Sequence, residues 1–97
     1  MIKIKYSTEP FSLLITGHAG YAEHGKDIVC SAVTSAAVGG INAFNEVNKM
    51  KLTVKDGHIE VEYSKELNAH DKIVFETILT QLECIQELYP KHVKINL

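Results

Sequence analysis

Apolar and polar residues alternate from the start of the chain, with Ile2, Ile4 and Tyr6 on one face and Lys3 and Lys5 on the other. A period of two marks a half-buried strand. A turn at Glu9 and Pro10 follows. Phe11, Leu13 and Ile15 then alternate with Ser12, Leu14 and Thr16, so a second strand folds back on the first as an antiparallel hairpin and delivers His18 at its end. The pattern changes at Ile28, where a run without charged residues extends to Asn45 and predicts a buried helix from Ile28 to about Asn48, capped by Asp27. Each glycine of the Gly39–Gly40 pair costs such a helix about 1 kcal/mol relative to alanine. The pair therefore predicts a close contact with the sheet or with a second subunit.

Asp56-Gly57 is a two-residue turn signal between alternating runs over 51–63. The turn pairs Val54 with Ile59 and Leu52 with Val61 on the core face. On the other face the same register sets Lys51 against Glu62 and Thr53 against Glu60, a favourable cross-strand arrangement. Asn68, three residues before Asp71, opens a second helix in which Ile73, Val74, Ile78, Leu82, Ile85 and Leu88 recur with helical spacing up to Pro90. Val93, Ile95 and Leu97 alternate in the tail, with room for a last short strand. The order β-β-α-β-β-α predicts an α+β two-layer sandwich, an antiparallel or mixed sheet of four to five strands with two helices on one face.

The 97 residues suffice for a single domain, 1–97, with one modest core. A net charge of −2 argues against general binding to nucleic acid or acidic membranes, which needs a concentrated basic footprint. Only Cys30 and Cys84 occur, with no CxxC and no apolar leader behind basic residues, so a cytoplasmic location is expected. The uncharged run is 18 residues long but contains Ser31, Thr34, Ser35, Gly39, Gly40 and Asn42, which favours a core helix over a membrane span. Cys84, midway along the second helix, is expected in core or half-core packing without a chemical role.

Candidate chemistry centres on the glycine-punctuated stretch from Gly17 to Cys30. Cys30 falls in the first turn of the helix, where unpaired amides and the positive end of the helix dipole favour thiolate over thiol. His18, twelve residues earlier, can be returned to the thiol by the loop 19–26. Thiol, base and helix N-terminus form a minimum set for cysteine nucleophilic catalysis, with the oxyanion held by the Cys30 amide and a neighbour from the loop. Each residue also has a plainer reading. His18 can be a surface or hydrogen-bonding histidine, Cys30 an inert core thiol and Asp27 only a cap, although its carboxylate could also orient His18. Thr34, one turn beyond Cys30, either bonds the Cys30 carbonyl or serves the thiol and substrate. His18, His24 and Cys30, each six residues apart, match no compact zinc signature, and a fourth ligand would have to come from elsewhere, such as His58 or His70. No metal and no cofactor is expected. Gly17, Gly20 and Gly25 around Ala19 make the loop a candidate mobile substrate lid.

The segments Gly17-His18-Ala19 and Gly25-Lys26-Asp27-Ile28-Val29-Cys30-Ser31-Ala32-Val33-Thr34 together resemble the GHA and GxDIVCxxxS motifs of the bacterial ribosomal-processing cysteine proteases. The resemblance in element order extends over nearly the whole chain. It carries the nucleophile to Cys30, the general base to His18 and the family aspartate to Asp27. Thr34 departs from the usual serine, keeping the hydroxyl and adding a methyl. The resemblance implies a cysteine endopeptidase that removes an N-terminal extension from a large-subunit ribosomal protein after a short phenylalanine-rich motif. It also implies a homodimer and a loop that moves to admit the peptide. The competing class is a non-enzymatic ribosome-associated binding or assembly module in which Cys30 and His18 are structural. Rapid alkylation of Cys30 by iodoacetamide at neutral pH separates the two.

Overall fold

The structure, a computed structural model, describes residues 1–96. Strands β1 (Ile2–Thr8) and β2 (Phe11–Thr16) precede helix α1 (Ile28–Ile41). Strands β3 (Lys51–Lys55) and β4 (His58–Tyr63) precede helix α2 (Ala69–Leu88), and β5 (Val93–Asn96) closes the order. One five-stranded sheet runs β3-β4-β2-β1-β5. All pairs are antiparallel except β1 with β5, so the sheet is mixed. The last strand is thus formed by 93–96, and the expected continuation to Leu97 lies outside the described residues.

Register puts the inward-facing residues in one layer. Ile4 opposes Ile15, which opposes Ile59, and Leu13 opposes Val61. All of these are buried, as are Val29, Val33, Ala37 and Ile41 of α1 and Phe75, Ile78 and Leu82 of α2. Phe11 sits at the centre of the far end, edge-on to Phe44 at 5.5 Å and to Phe75 at 4.6 Å between ring centroids. Burying a side chain of this size contributes about 1.5–3 kcal/mol relative to leaving it in water.

Helix α1 stops at Ile41 rather than at Asn48. Ala43 and Phe44 donate back to Gly40 and Ile41 in a tightened last turn, which rolls Phe44 into the core. The amides of Asn45 and Glu46 are taken by the carboxylate of Asp71, at 2.8 and 3.3 Å. Nothing in the uncharged run signals this, because the stop is imposed by α2, 26 residues away. A short 3-10 turn, Val47–Lys49, then leads into β3.

The Asp56-Gly57 hairpin has the expected register, Val54 to Ile59 and Lys51 to Glu62 included. Leu52 and Val54, however, are exposed rather than core. They face the same side as Ile59 and Val61, but β3 is the edge strand and the helices do not reach over it. Helix α2 begins as expected, Asn68 Oδ1 accepting from the Asp71 amide at 2.8 Å. Its apolar repeat includes Ile73 and Leu88, which are exposed, and omits the buried Phe75 and Asp71. Cys84 is exposed as well, contrary to the expected packing role. At Gly40 the close contact within the chain is with α2 rather than with the sheet: a Cβ there would stand 2.2 Å from Ile78 Cγ1.

Candidate active site

Asp27 organises the site through backbone amides alone. Its Oδ1 accepts from Val29 and Cys30 at 3.0 Å, which caps α1, while its Oδ2 accepts from Tyr21 at 2.9 Å and Ala22 at 3.3 Å, which folds the preceding loop. Burial by itself would raise the pKa of this carboxyl. The amide hydrogen bonds, that of Cys30 first, outweigh burial and hold it below the ordinary carboxylate value. Both oxygens are therefore spent on the backbone, and neither orients His18.

The loop is anchored from a second side. Ala19 is buried, and its amide donates to Cys30 Sγ at 3.2 Å. Its carbonyl meets Nδ1 of His92 at 2.9 Å, just before β5, and Tyr21 stacks edge-on against both His92 and Tyr89 at 5.4 Å. Thus Ala19 is held through its N–H by Cys30 and through its carbonyl by His92. Sequence reasoning passed over His92 and Tyr89. Their only signal is topological, because β5 lies beside β1 and brings the end of α2 under the loop.

β2 ends at Thr16, so His18 belongs to the loop, not to the strand. Gly17, with φ +93°, turns the chain here, and its amide donates to the Gly57 carbonyl at 3.0 Å. This tie lays His18 against the β3–β4 turn: a Cβ on Gly57 would come 2.8 Å from His18 Nε2. Gly57, with φ +72°, is required by the turn and by the imidazole together.

His18, Cys30 and Thr34 line one open groove of about 930 Å³ between the loop, the start of α1 and the β3–β4 turn. Gly20, Gly25 and Val54 also contribute to its wall. Thr34 is exposed, and among the described residues its hydroxyl makes no bond to the Cys30 carbonyl. The groove joins a thiol, an imidazole and an apolar wall, which suits nucleophilic attack on an extended peptide. The Cys30 amide expected to hold an oxyanion is already engaged by Asp27. The Ala19 amide, by contrast, donates to the sulfur itself. Of the residues considered as zinc ligands, His18 and His24 come together with Asp56, while Cys30, His58 and His70 do not join them.

The profile of the family described as cysteine protease Prp matches residues 1–94. The ribosomal processing cysteine protease Prp of Mycoplasma genitalium is 35% identical over 99 residues, covering 99% of this chain and 95% of that protein. Its counterpart in Staphylococcus aureus is 26% identical over 88 residues, covering 87% of this chain and 83% of that one. The crystal structure of the S. aureus protease with a covalently linked product peptide superposes with a TM-score of 0.81 at 25% identity, covering 98% of this chain and 95% of that one.

Proposed function

The chain belongs to the Prp family of cysteine proteases, and from that premise we propose that it removes an N-terminal extension from a large-subunit ribosomal protein through Cys30 and His18. The observation that carries this reading is the Ala19 amide held against Cys30 Sγ inside a groove that His18 also lines. The relatives are named for ribosomal processing, and the S. aureus protease carries a covalently linked product peptide. The non-enzymatic module gains no support from a family of proteases.

In the proposed reaction His18 takes the thiol proton and the Cys30 thiolate attacks the scissile carbonyl. The oxyanion accepts from the Ala19 amide, which shifts from sulfur to the new charge. Collapse of the tetrahedral species expels the amine, protonated by His18, and leaves a thioester. The same imidazole then draws a proton from water, which releases the acyl group. The extended peptide lies along the groove, with the 19–26 loop lifting to admit it and Val54 offering apolar contact to a phenylalanine-rich segment. Thr34 on the groove wall contacts that peptide. Asp27 holds the amide frame and takes no part in proton transfer.

The place of action proposed is the cytoplasm, where thiols stay reduced. Among the described residues no helix is long and apolar enough to cross a membrane. We assign a homodimer on the basis of exposed Ile73 and Leu88 on α2, which a symmetric copy would cover. Light scattering at micromolar concentration tests this: twice the chain mass is expected, and the chain mass alone contradicts it. The protease reading is tested by incubating the protein with N-terminally extended ribosomal proteins and following their masses.

A further inference from the structure

We propose that His18, His24 and Asp56 form a site for a zinc-type divalent cation that inhibits the protease by capturing the imidazole its thiol chemistry needs. The donor atoms of the three side chains all lie within 4.8 Å of one another, two of them from the loop and one from the β3–β4 turn. The His18 and His24 rings stand edge-on at 5.8 Å, and His24 Nε2 is 4.0 Å from Asp56 Oδ2. As an ion pair that contact contributes little, because both side chains are about three-quarters exposed. As a ligand set the trio is more consequential.

Two imidazoles and one carboxylate suit zinc and its neighbours in preference to calcium or magnesium, which take oxygen ligands. Tetrahedral zinc with bonds of about 2.0–2.2 Å needs donors about 3.3 Å apart, leaving a fourth position for water. The three donors must therefore draw in by up to about 1.5 Å. Exposed side chains achieve this by rotating, while the backbone is already fixed by the Gly17 amide on the Gly57 carbonyl. The missing Cβ at Gly57 leaves His18 Nε2 room on that side. A bound cation would occupy the lone pair of His18 and fasten the loop to the hairpin turn across the groove containing Cys30. The cation is an inhibitor here, and its effect on activity rests on the reading of His18 as the base.

The test separates binding from catalysis. Zinc chloride is titrated calorimetrically into the Cys30→Ala/Cys84→Ser chain, which has no thiol to compete. One equivalent is expected to bind, and His24→Gln or Asp56→Asn should each weaken binding by at least about tenfold, the scale on which zinc sites respond to lost partners. All of these substitutions except Cys30→Ala fall on exposed side chains, and circular dichroism checks that each variant is folded. No binding, or binding that neither substitution weakens, overturns the site. In parallel, zinc should suppress peptide cleavage by the unsubstituted chain, with recovery on adding a chelator, and His24→Gln should raise the half-inhibiting zinc concentration by a similar factor. Zinc bound without loss of cleavage overturns the inhibitory role. A chain that never cleaves tells against the protease reading, and the calorimetry still decides the site.

Discussion

At Cys30 the proposed chemistry depends on which amides are free. Asp27 occupies the Cys30 and Val29 amides and leaves the one on Ala19 turned toward sulfur. Cys30→Ala should abolish turnover while retaining peptide binding, and His18→Ala should lower kcat on the order of 10²–10⁴-fold. Cys84→Ser, an exposed change on α2, should leave the rate nearly unaltered. Steady-state kinetics on an extended peptide checks all three. His92 reaches the site through the Ala19 carbonyl and its stack on Tyr21 rather than by touching the thiol, so His92→Ala should lower kcat by roughly tenfold to a hundredfold with little change in KM. His92→Gln, whose amide can still donate, should recover part of the loss; equal rates for the two variants would assign His92 to packing alone. That Cys30 and His18 would meet at one groove was legible in the sequence because helix start, glycine loop and motif spacing are local. The His92 contact was not, since it spans 73 residues and depends on where β5 pairs.

Among the elements, α1 shows most clearly how tertiary contacts override local pattern. Its apolar, uncharged run read as helical well past Ile41. The chain turns instead because Asp71 supplies better partners for the Asn45 and Glu46 amides. The hairpin register could be read from Asp56-Gly57 and from cross-strand charges, whereas the exposure of Leu52 and Val54 followed from the strand order. The two glycines of α1 make opposite predictions. Gly39→Ala meets nothing within 4 Å and should stabilise by up to about 1 kcal/mol through helix propensity. Gly40→Ala drives a methyl into Ile78 and should destabilise by about 1–3 kcal/mol. Urea unfolding of the pair measures both signs, and equal shifts would contradict the α1–α2 contact.

For the whole molecule, two carboxylates tie loops to helices. Asp71 is wholly buried, and burial alone would raise its pKa. Hydrogen bonds from His70 and from the Asn45 and Glu46 amides outweigh this and hold it below the ordinary value, as the amides around Asp27 do there. A depressed folded pKa means stability that is complete above the unfolded value, near 3.9, and lost as pH falls through the folded one. Unfolding free energy should therefore fall steeply below about pH 4, and Asp71→Asn should flatten that fall. At pH 7 the same change should cost about 2 kcal/mol, the scale of hydrogen bonds to a charged group. The two-layer order was legible because each element carries its own period, and the parallel pairing of β5 was not, since a short strand fits either sheet edge. The thiol mechanism has its most direct test in the mass of an N-terminally extended large-subunit ribosomal protein incubated with the unsubstituted chain or with Cys30→Ala. The unsubstituted chain should shorten the substrate at one bond and Cys30→Ala should leave it intact; a substrate shortened equally by both would contradict the mechanism.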